Sequence, residues 1–578
     1  MTLSEVFQED WLVVLIDPSK RQETMIANDV EKLTAFYEEN KNDIWVGFNS
    51  RHYDQYILKG ILLGMNPKKI NDWIIVKDKE GWKYSSLFRK IPLNNYDVMG
   101  AVDRGLKWFE GSMGSMIKES SISFDTPRKL TDKELQETFE YCRHDVKETM
   151  KVFMQRKDDF NAHLGLVKIA CEGKPLDLSL IGKTKAQLSA YILKAEQKHH
   201  DDEFDIDFPD TLILKKYSSV LDWYKNPKNR CYKTDNGKKT QLEIMVAGCP
   251  HQFGWGGVHG ALEQYNGTGF FLNMDVASLY PSLMIRYNLH SRNMKDPKKY
   301  EEIYHTRLKY KKEKNPLQAP LKLVLNSTYG VMKDKANGLY DPCQANRVCV
   351  YGQLLLLMLI EMVEPHCQLI QSNTDGILIR MPDGQNPTKW YEQIDDLAYE
   401  WEQRTGLILE FDAFEGGKVF QKDVNNYVVV AADGSYKSKG AYVKKLSDLD
   451  YGDFPVVNKA MIEYMVKGIP VETTINNCDV LKDFQMVTKI GGKYKHLLHG
   501  GKPLNEKCVR AFASTRHTAG DLKKVSIRTG KPEKVANSPE RCFLWNDDIN
   551  GVKVPDYLDK QFYISMAKER LNAFGITI

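Results

Sequence analysis

The chain has 578 residues and a formal net charge of +4, and 42% of its residues are hydrophobic, as in an ordinary globular protein. This length exceeds what one hydrophobic core supports and predicts about three or four packing units. The ten cysteines form no CxxC pair, which argues against a zinc site and a disulfide framework and favours a reducing compartment. So small a net charge says little about partners.

No segment predicts insertion into a membrane. Residues 1–10 are polar and acidic, unlike a secretory signal peptide. The most apolar run, residues 348–363, contains Gln353 and Glu361 and is predicted to be too short to span a bilayer. We interpret this run as a buried core helix and expect a cytoplasmic protein without a membrane partner.

Positive charge is concentrated in three segments. Residues 306–314 (TRLKYKKEK) carry five Lys or Arg and one Glu, and residues 436–445 (YKSKGAYVKK) carry four Lys and no acid. Residues 521–534 form a third cluster. One such run is usually a solvated surface, but three in a chain of small net charge favour contacts with phosphate groups.

The first 160 residues alternate predicted strands and helices. Residues 11–16 (WLVVLI) and 44–48 (IWVGF) have the composition of buried strands, and residues 29–41 and 130–156 have helical periodicity. The second helix begins with a Thr-x-x-Glu capping box. The pattern predicts an α/β domain, followed by a turn-rich region up to about residue 265.

The central part of the chain contains a predicted strand, three helices and a hairpin. The strand covers residues 269–276, and the helices cover about 297–314, 320–330 and 346–364. Residues 368–381 form two apolar runs around an Asp-Gly turn, the pattern of a β-hairpin. The last 120 residues are predicted to be polar and irregular.

Three short motifs coincide with these elements. NMDVASLYPS places Asp275 at the end of the strand, where a single Asp is most often a helix cap. KLVLNSTYG puts Lys322, Asn326 and Tyr329 on one stripe of a helix, as in many amphipathic surface helices. SNTDG, alone, is a good hairpin turn.

Together, and in this order, the three motifs resemble the polymerase motifs of family B DNA polymerases. The segment FGWGGVHGA ahead of the first motif and the NTDG form of the third are most similar to replicative polymerases of tailed bacteriophages. The resemblance covers essentially the whole chain. It implies an α+β multidomain fold, with an RNase H-like exonuclease domain followed by a right-hand polymerase of palm, helical fingers and thumb.

The resemblance divides the chain into six predicted segments. They are an exonuclease-like domain at 1–160, a connecting region flanking the palm at 161–265, the first part of the palm at 266–296, the fingers at 297–345, the second part of the palm at 346–450, and the thumb and C-terminal region at 451–578.

Nucleotidyl transfer requires two hard divalent cations, and paired carboxylates can bridge them. Asp275 and Asp375 are the predicted catalytic and metal-binding pair, with Val276 as a further metal ligand implied by the resemblance. The implied cofactor is two Mg²⁺ ions, for which Mn²⁺ can substitute. Most family members have a second Asp where this chain has Asn373, and the neutral amide lowers the local negative charge.

A pocket for the incoming dNTP is predicted around this pair. Lys322, with Arg307 and Lys311 one helical turn apart, would neutralise the triphosphate, and backbone N–H groups would cradle it. Tyr280 would stack under the sugar and leave no room for a 2′-hydroxyl. The predicted nucleotide-binding residues are Ser278, Leu279, Tyr280, Arg307, Lys311, Lys322, Asn326 and Tyr329.

Contacts with primer–template DNA are predicted in the second basic cluster. The Lys-x-Tyr pattern of the family occurs here only as Asn-Asn-Tyr, so Tyr427 is matched and the lysine is absent. Lys437 and Lys439, or alternatively Lys422, would then take over the phosphate contact. The other expected partners are bacteriophage replication proteins of unknown identity, in a bacterial host cell if a phage encodes the chain.

NSRHYD and YCRHD resemble the second and third motifs of DnaQ-like 3′–5′ exonucleases. In such a site four carboxylates hold two metal ions, and a tyrosine orients the attacking water. Asp54 and Asp145 would supply two of the metal-binding carboxylates. The predicted exonuclease site consists of Glu5, Asn49, Asp54, Tyr141 and Asp145.

The first exonuclease motif, Asp-x-Glu, is incomplete. Glu5 matches its Glu, but Leu3 stands where the Asp belongs. We therefore predict weak or absent exonuclease activity, although the sequence leaves open whether the N-terminus was trimmed or altered or the activity was lost. Two rival hypotheses are a nuclease that uses only this domain and a catalytically silent DNA-binding protein, which Asn373 would favour.

Overall fold

The computed structural model describes residues 2–100, 104–450 and 452–578. These residues form two compact units. The first unit comprises Met1–Thr184, Leu446–Val457 and Ile475–Ile564, and the second comprises Lys185–Lys445, Asn458–Thr474 and Ser565–Ile578.

The strands, numbered along the described chain, are β1 Thr2–Val6, β2 Trp11–Asp17, β3 Gln22–Ala27, β4 Ile44–Gly47, β5 Asn94–Asp97, β6 Gln241–Val246, β7 Cys249–Gly254, β8 His259–Ala261, β9 Tyr265–Val276, β10 Gln368–Ser372, β11 Gly376–Arg380, β12 Leu409–Asp423, β13 Asn426–Val430, β14 Tyr436–Lys439, β15 Met486–Lys489, β16 Tyr494–His499, β17 Lys502–Pro503, β18 Cys508–Ala513, β19 Leu522–Ser526, β20 Pro532–Lys534 and β21 Cys542–Leu544.

The α-helices, numbered likewise, are α1 Val30–Asn40, α2 Asp54–Leu62, α3 Pro67–Asn71, α4 Leu106–Ser112, α5 Asp132–Gln155, α6 Lys157–Ala170, α7 Lys185–Ile192, α8 Ser219–Lys225, α9 Leu279–Arg286, α10 Pro297–Lys312, α11 Gln318–Val331, α12 Pro342–Val363, α13 Pro387–Thr405, α14 Pro455–Lys467, α15 Val471–Asn477 and α16 Lys560–Ala573. A π-helical turn covers Asp72–Val76, and several short 3₁₀ turns connect the longer elements.

In the first unit, an antiparallel sheet of order β1-β2-β3 lies between two hydrophobic clusters. Val13 and Leu15 of β2 pack in one cluster, and Leu12 and Val14 pack in the other. Because both faces of β2 are covered, its sequence is continuously apolar rather than alternating. β4 and β5 form a separate parallel pair. The predicted strands and helices of this region, including the Thr131 capping box of α5, are confirmed.

The prediction that the last 120 residues are irregular is wrong. In the first unit they form two small sheets, of orders β15-β18-β21 and β17-β16-β19-β20. Strand β18 is buried along its whole length, including Arg510, whose guanidinium donates to the carbonyl oxygens of Trp545, Asp547, Gly111 and Ser115. A buried Arg interrupts the continuous apolar run that is typical of a strand buried on both faces, so the sequence does not show this strand.

The second unit is built on a nine-stranded sheet of order β14-β13-β12-β9-β11-β10-β8-β7-β6. The long strand β9 lies between β12 and β11, antiparallel to both. Its last residues pair with the beginnings of both neighbours, since Asp275 lies opposite Gly376 on one side and Glu410 on the other. The hairpin predicted at residues 368–381 is confirmed as β10 and β11.

Helices α9 to α12 pack beside this sheet in the same unit. The predicted spans of α10, α11 and α12 are confirmed to within a few residues. The expectation that the apolar run is too short to span a bilayer is wrong, because the helical segment Pro342–His366 has 25 residues and about 20 suffice. Since 78% of its most apolar window is buried against the protein, the interpretation as a core helix stands.

Candidate active site

Asp275 and Asp375 lie on adjacent strands of the second unit. Asp275 is the penultimate residue of β9, and Asp375 directly precedes β11, with its carbonyl oxygen accepting from the N–H of Val276 at 2.7 Å. A Cβ at Gly376 would collide with Oδ1 of Asp275, so only glycine permits this close approach of the turn to the strand. The two predicted carboxylates are thereby brought together.

Burial, and secondarily the charge of Asp375, raise the pKa of Asp275 to about 6. The Nδ2 of Asn273, two residues earlier on the same face of β9, donates to Oδ2 of Asp275 at 2.6 Å and opposes this rise. An acid whose pKa is raised by burial and by a neighbouring carboxylate is typical of a site that receives a cation. Sequence reasoning missed Asn273, although the period-2 spacing from Asp275 could have indicated it.

The donor set at this end of the sheet fits divalent cations. It consists of the two carboxylates and the Oδ1 of Asn373, which is buried without a hydrogen-bond partner among the described residues. Hard cations such as Mg²⁺ prefer oxygen ligands of this kind. The participation of the Val276 carbonyl remains a prediction.

Directly after β9 the chain turns through Ser278, which has a left-handed backbone conformation (φ 52°) at the start of α9. Its Oγ accepts a hydrogen bond of 2.6 Å from Nη1 of Arg307 on α10. Arg307 is buried, and its Nε has no hydrogen-bond partner among the described residues. A buried guanidinium with an unused donor, bonded to the residue three positions after Asp275, is suited to bind an anionic group.

The other predicted cations lie on the same pair of helices. Lys311, one turn beyond Arg307 on α10, forms an ion pair of 2.9 Å with Glu410, the neighbour of Asp275 on β12. Lys322 and Asn326 of α11 are exposed, whereas Leu321, Leu325 and Thr328 on its other face are buried. The predicted polar stripe of α11 is therefore confirmed, and its role in binding nucleotides stays a prediction.

The rings of Tyr280 and Tyr329 stack on each other, with centroids 3.9 Å apart and planes 22° apart. Tyr280 lies in the first turn of α9 and Tyr329 near the end of α11. Both rings are half-buried, and burial raises the pKa of each hydroxyl above its ordinary value. The sequence predicted both tyrosines in the nucleotide pocket from different motifs, and the structure shows that their rings are in contact.

The residues predicted to contact DNA lie on β13 and β14, at one edge of the sheet. Lys439 of β14 is the direct neighbour of Tyr427 on β13, and Lys437 lies two residues away on the same face. Lys437 forms an ion pair with Asp412 of β12. The Tyr427 hydroxyl lies next to the side-chain amides of Gln371 and Asn373, and burial raises its pKa. Tyr427 therefore lies between the β13–β14 edge of the sheet and the SNTDG motif, which contains Asn373.

A second acidic centre lies in the first unit. Asp54, at the start of α2, is buried and accepts hydrogen bonds of 2.8 Å from the N–H and Oγ of Ser4 on β1. Burial raises its pKa to about 6. The pKa of Glu5 on β1 is also raised, first by burial and then by the charges of Asp145 and Asp54. These three predicted exonuclease acids are therefore brought together.

The same centre contains a cation that sequence reasoning missed. The ammonium group of Lys107 on α4 lies 2.5 Å from Oδ1 of Asp145 and 3.0 Å from Oε1 of the fully buried Glu110. It also lies 4.7 Å from the centre of the Tyr141 ring. Burial raises the pKa of Asp145 to about 7, against the opposing effect of Lys107. The spacing of Lys107 and Glu110 on the short helix α4 is the sequence feature that could have indicated this ion pair.

This centre differs in two respects from the four-carboxylate, two-metal site that the resemblance implies. Leu3 packs against the hydrophobic cluster around Phe7 and Leu12 instead of supplying a carboxylate. The Lys107 ammonium already neutralises Asp145 and Glu110. Asn49 is exposed and its backbone N–H donates to Asp97, so its predicted contribution to the site remains untested.

No model of a protein family matches the chain, and the similarities are to individual DNA polymerases. The chain is 25% identical over 309 residues to DNA polymerase 1 of Saccharolobus solfataricus, covering 45% of this chain and 33% of that protein. It is 27% identical over 201 residues to DNA polymerase 1 of Sulfurisphaera ohwakuensis, covering 34% of this chain and 21% of that protein. It is 26% identical over 213 residues to DNA polymerase 1 of Aeropyrum pernix, covering 30% of this chain and 22% of that protein.

Among solved structures, the family B DNA polymerase of the hyperthermophilic archaeon Pyrobaculum calidifontis is 14% identical, with a TM-score of 0.43 over 100% of this chain and 78% of that chain. A TM-score this low does not by itself establish a shared fold. The chain spans about a third or less of the length of the curated relatives it matches. Over that part, its sequence is similar to that of archaeal DNA polymerases.

Proposed function

We propose that this chain is a family B, template-directed DNA polymerase that adds dNTPs to a primer 3′ end. The observation that carries the proposal is the pairing of Asp275 and Asp375 on adjacent strands. The buried Arg307 and the stacked pair of Tyr280 and Tyr329 accompany them in the same unit. The similarity to archaeal DNA polymerases supports the same activity.

In this proposal each part of the site has a separate task. Asp275 and Asp375 would hold two Mg²⁺ ions, which would supply activation of the primer hydroxyl and stabilisation of charge on the transferred phosphoryl group. Arg307, with Lys322 and Lys311, binds the triphosphate, and Lys311 must then exchange Glu410 for a phosphate oxygen. Tyr280 lies under the sugar, and Tyr329 with Asn326 lines the pocket of the new base pair.

Primer extension on a defined template with Mg²⁺ and four dNTPs tests this function. We expect template-dependent elongation that stops when one dNTP is withheld. Shortening of the primer in the presence of dNTPs would favour the nuclease hypothesis. Tight binding of primer–template with no change in primer length, in Mg²⁺ or Mn²⁺, would favour the silent DNA-binding hypothesis.

We further expect the enzyme to extend a nucleic-acid primer rather than a terminal protein. The protein-primed branch of the family carries a large insertion between the first and second motifs. Here only 47 positions separate Asp275 from Lys322, and helices α9, α10 and α11 account for most of them. Incubation with a labelled dNTP and no primer should label no protein. This result is expected both for the purified chain and for the chain added to an extract of its source. Primer-independent labelling of a protein would contradict this expectation.

The nuclease-like centre is expected to remove mismatched primer ends slowly or not at all. Leu3 supplies no carboxylate, and two-metal hydrolysis depends on a complete ligand set. Degradation of a mismatched primer with Mg²⁺ or Mn²⁺ and no dNTP measures this activity. The variant Leu3→Asp should raise the rate by about tenfold or more, within the usual effect of one metal-site partner.

Leu3→Asn is the matched control, because it changes size and polarity in the same way without adding a charge. It should leave the degradation rate near the wild-type value. Rapid excision by the wild-type chain would show that another acid completes the site. Asp10 is a poor candidate for that role, since its carboxylate already accepts from Asn28 and from the N–H of Leu130.

Several finer features belong to this proposal. They are the bacteriophage origin, the division into exonuclease-like, palm, fingers and thumb segments, and a cytoplasmic location with phage replication proteins as partners. The matched relatives are archaeal, so the origin rests on the FGWGG and NTDG motifs alone. Primer–template DNA and dNTPs follow from the proposed reaction.

A further inference from the structure

The stacked tyrosine pair has a contact beneath it that the proposed reaction does not use. The hydroxyl group of Tyr329 is in hydrogen-bonding contact, at 2.6 Å, with Sγ of Cys349. Cys349 is 3% exposed and lies in the second turn of α12, the buried core helix of this unit. The ring of Tyr329 also stacks on the ring of Tyr280. The three side chains therefore form one connected series from the core to the pocket.

Helix α12 provides a fixed base for this series. Nearly all of its residues are buried, and it packs closely against α9, where a Cβ at Gly352 would lie 3.3 Å from the Leu283 side chain. The Nε2 of Gln353 donates to the carbonyl oxygen of Cys349, which anchors this turn further. A side chain on such a rigid element can fix the position of a residue that it touches.

We propose that Cys349 is a positioning residue that fixes Tyr329 and, through it, the Tyr280 ring that selects deoxyribose. The proposal rests on the polymerase function proposed above. A stacked ring held on one side only can tilt, and tilting would open the space that a 2′-hydroxyl needs. Tyr329 contacts Cys349 through its hydroxyl and Tyr280 through its ring, so the hydrogen bond to Cys349 limits that movement.

The test is the ratio of kcat/KM for a dNTP to that for the matching rNTP. In Cys349→Ala the ratio should fall by about three- to tenfold, the effect of losing one hydrogen bond. Cys349→Ser keeps a donor and acceptor, and should keep the ratio within about twofold of wild type. Cys343→Ala is the matched control, since Cys343 is buried on the same helix but contacts the carbonyl oxygen of Asp205.

Tyr329→Phe removes the same hydrogen bond from the other side and keeps the ring. It should lower the ratio as Cys349→Ala does, and the double variant Cys349→Ala/Tyr329→Phe should lower it no further than either change alone. If Cys349→Ala does not fold, Tyr329→Phe and Cys349→Ser still decide the question. If Cys349 has a purely structural role, its replacement would lower kcat or stability and leave the ratio of dNTP to rNTP efficiency unchanged.

Failure of this inference is distinguishable from failure of the proposed function. If the wild-type chain does not extend primers, the proposed function and the positioning role of Cys349 are both contradicted. If it extends primers and Tyr280→Ala changes the ratio while Cys349→Ala and Tyr329→Phe do not, only the positioning role is overturned. Additive effects in the double variant would likewise show that Cys349 and Tyr329 act independently.

Discussion

Replacing either Asp275 or Asp375 with Ala should reduce primer extension by at least about 10³-fold, because each loss removes a charged ligand from the site that receives both metal ions. The fold should survive both changes. Asp375 is exposed, and Asp275 is a half-buried acid whose pKa is already raised by burial, so its carboxylate does not stabilise the strand. Single-turnover extension with saturating dNTP and circular dichroism measure the two effects.

Asp383→Ala is the matched control for this experiment. Asp383 follows the other end of β11 and is an exposed acid paired with Arg380, so its loss should leave extension within about twofold of wild type. Asn373→Asp should also retain extension, since most family members carry an Asp at this position. Near-normal turnover of Asp275→Ala or Asp375→Ala would show that the metal assignment is wrong.

Replacing Tyr280 with Ala or Val should admit ribonucleotides and lower the ratio of dNTP to rNTP incorporation efficiency by about 10- to 200-fold, the range for removing one shape constraint in a pocket. The reason is geometric. The Tyr280 ring stacks at 3.9 Å on Tyr329 and cannot move aside without breaking that contact. Steady-state kcat/KM for one dNTP and its rNTP, on the same template position, measures the ratio.

Tyr280→Phe separates the ring from its hydroxyl. It keeps the ring that stacks on Tyr329 and should exclude ribonucleotides far better than Tyr280→Ala. A ratio that stays unchanged in Tyr280→Ala would remove this residue from sugar selection. A loss of dNTP incorporation with no change in the ratio would instead assign it to general nucleotide binding.

The sequence by itself determined many of the elements before the last 120 residues, and it predicted much of the candidate site. Apolar composition predicted β2 and α12, helical periodicity predicted the polar stripe of α11, and an Asp-Gly turn predicted the β10–β11 hairpin. These features follow from local periodicity and turn chemistry, which act between residues close in the chain. The motif order then selected Asp275 and Asp375, 100 positions apart, as partners.

Only the tertiary structure decided which distant side chains share a contact. The hydrogen bond from Arg307 to Ser278, the stacking of Tyr280 on Tyr329 and the contact with Cys349 join four helices, α9 to α12. In the first unit, Lys107 reaches Asp145 across 38 positions of the chain. Single-sequence patterns carry no signal for such pairs, because packing fixes them through the relative placement of whole elements. For the same reason, the sequence does not indicate strand β18, because the carbonyl oxygens that accept from the buried Arg510 belong to distant parts of the chain.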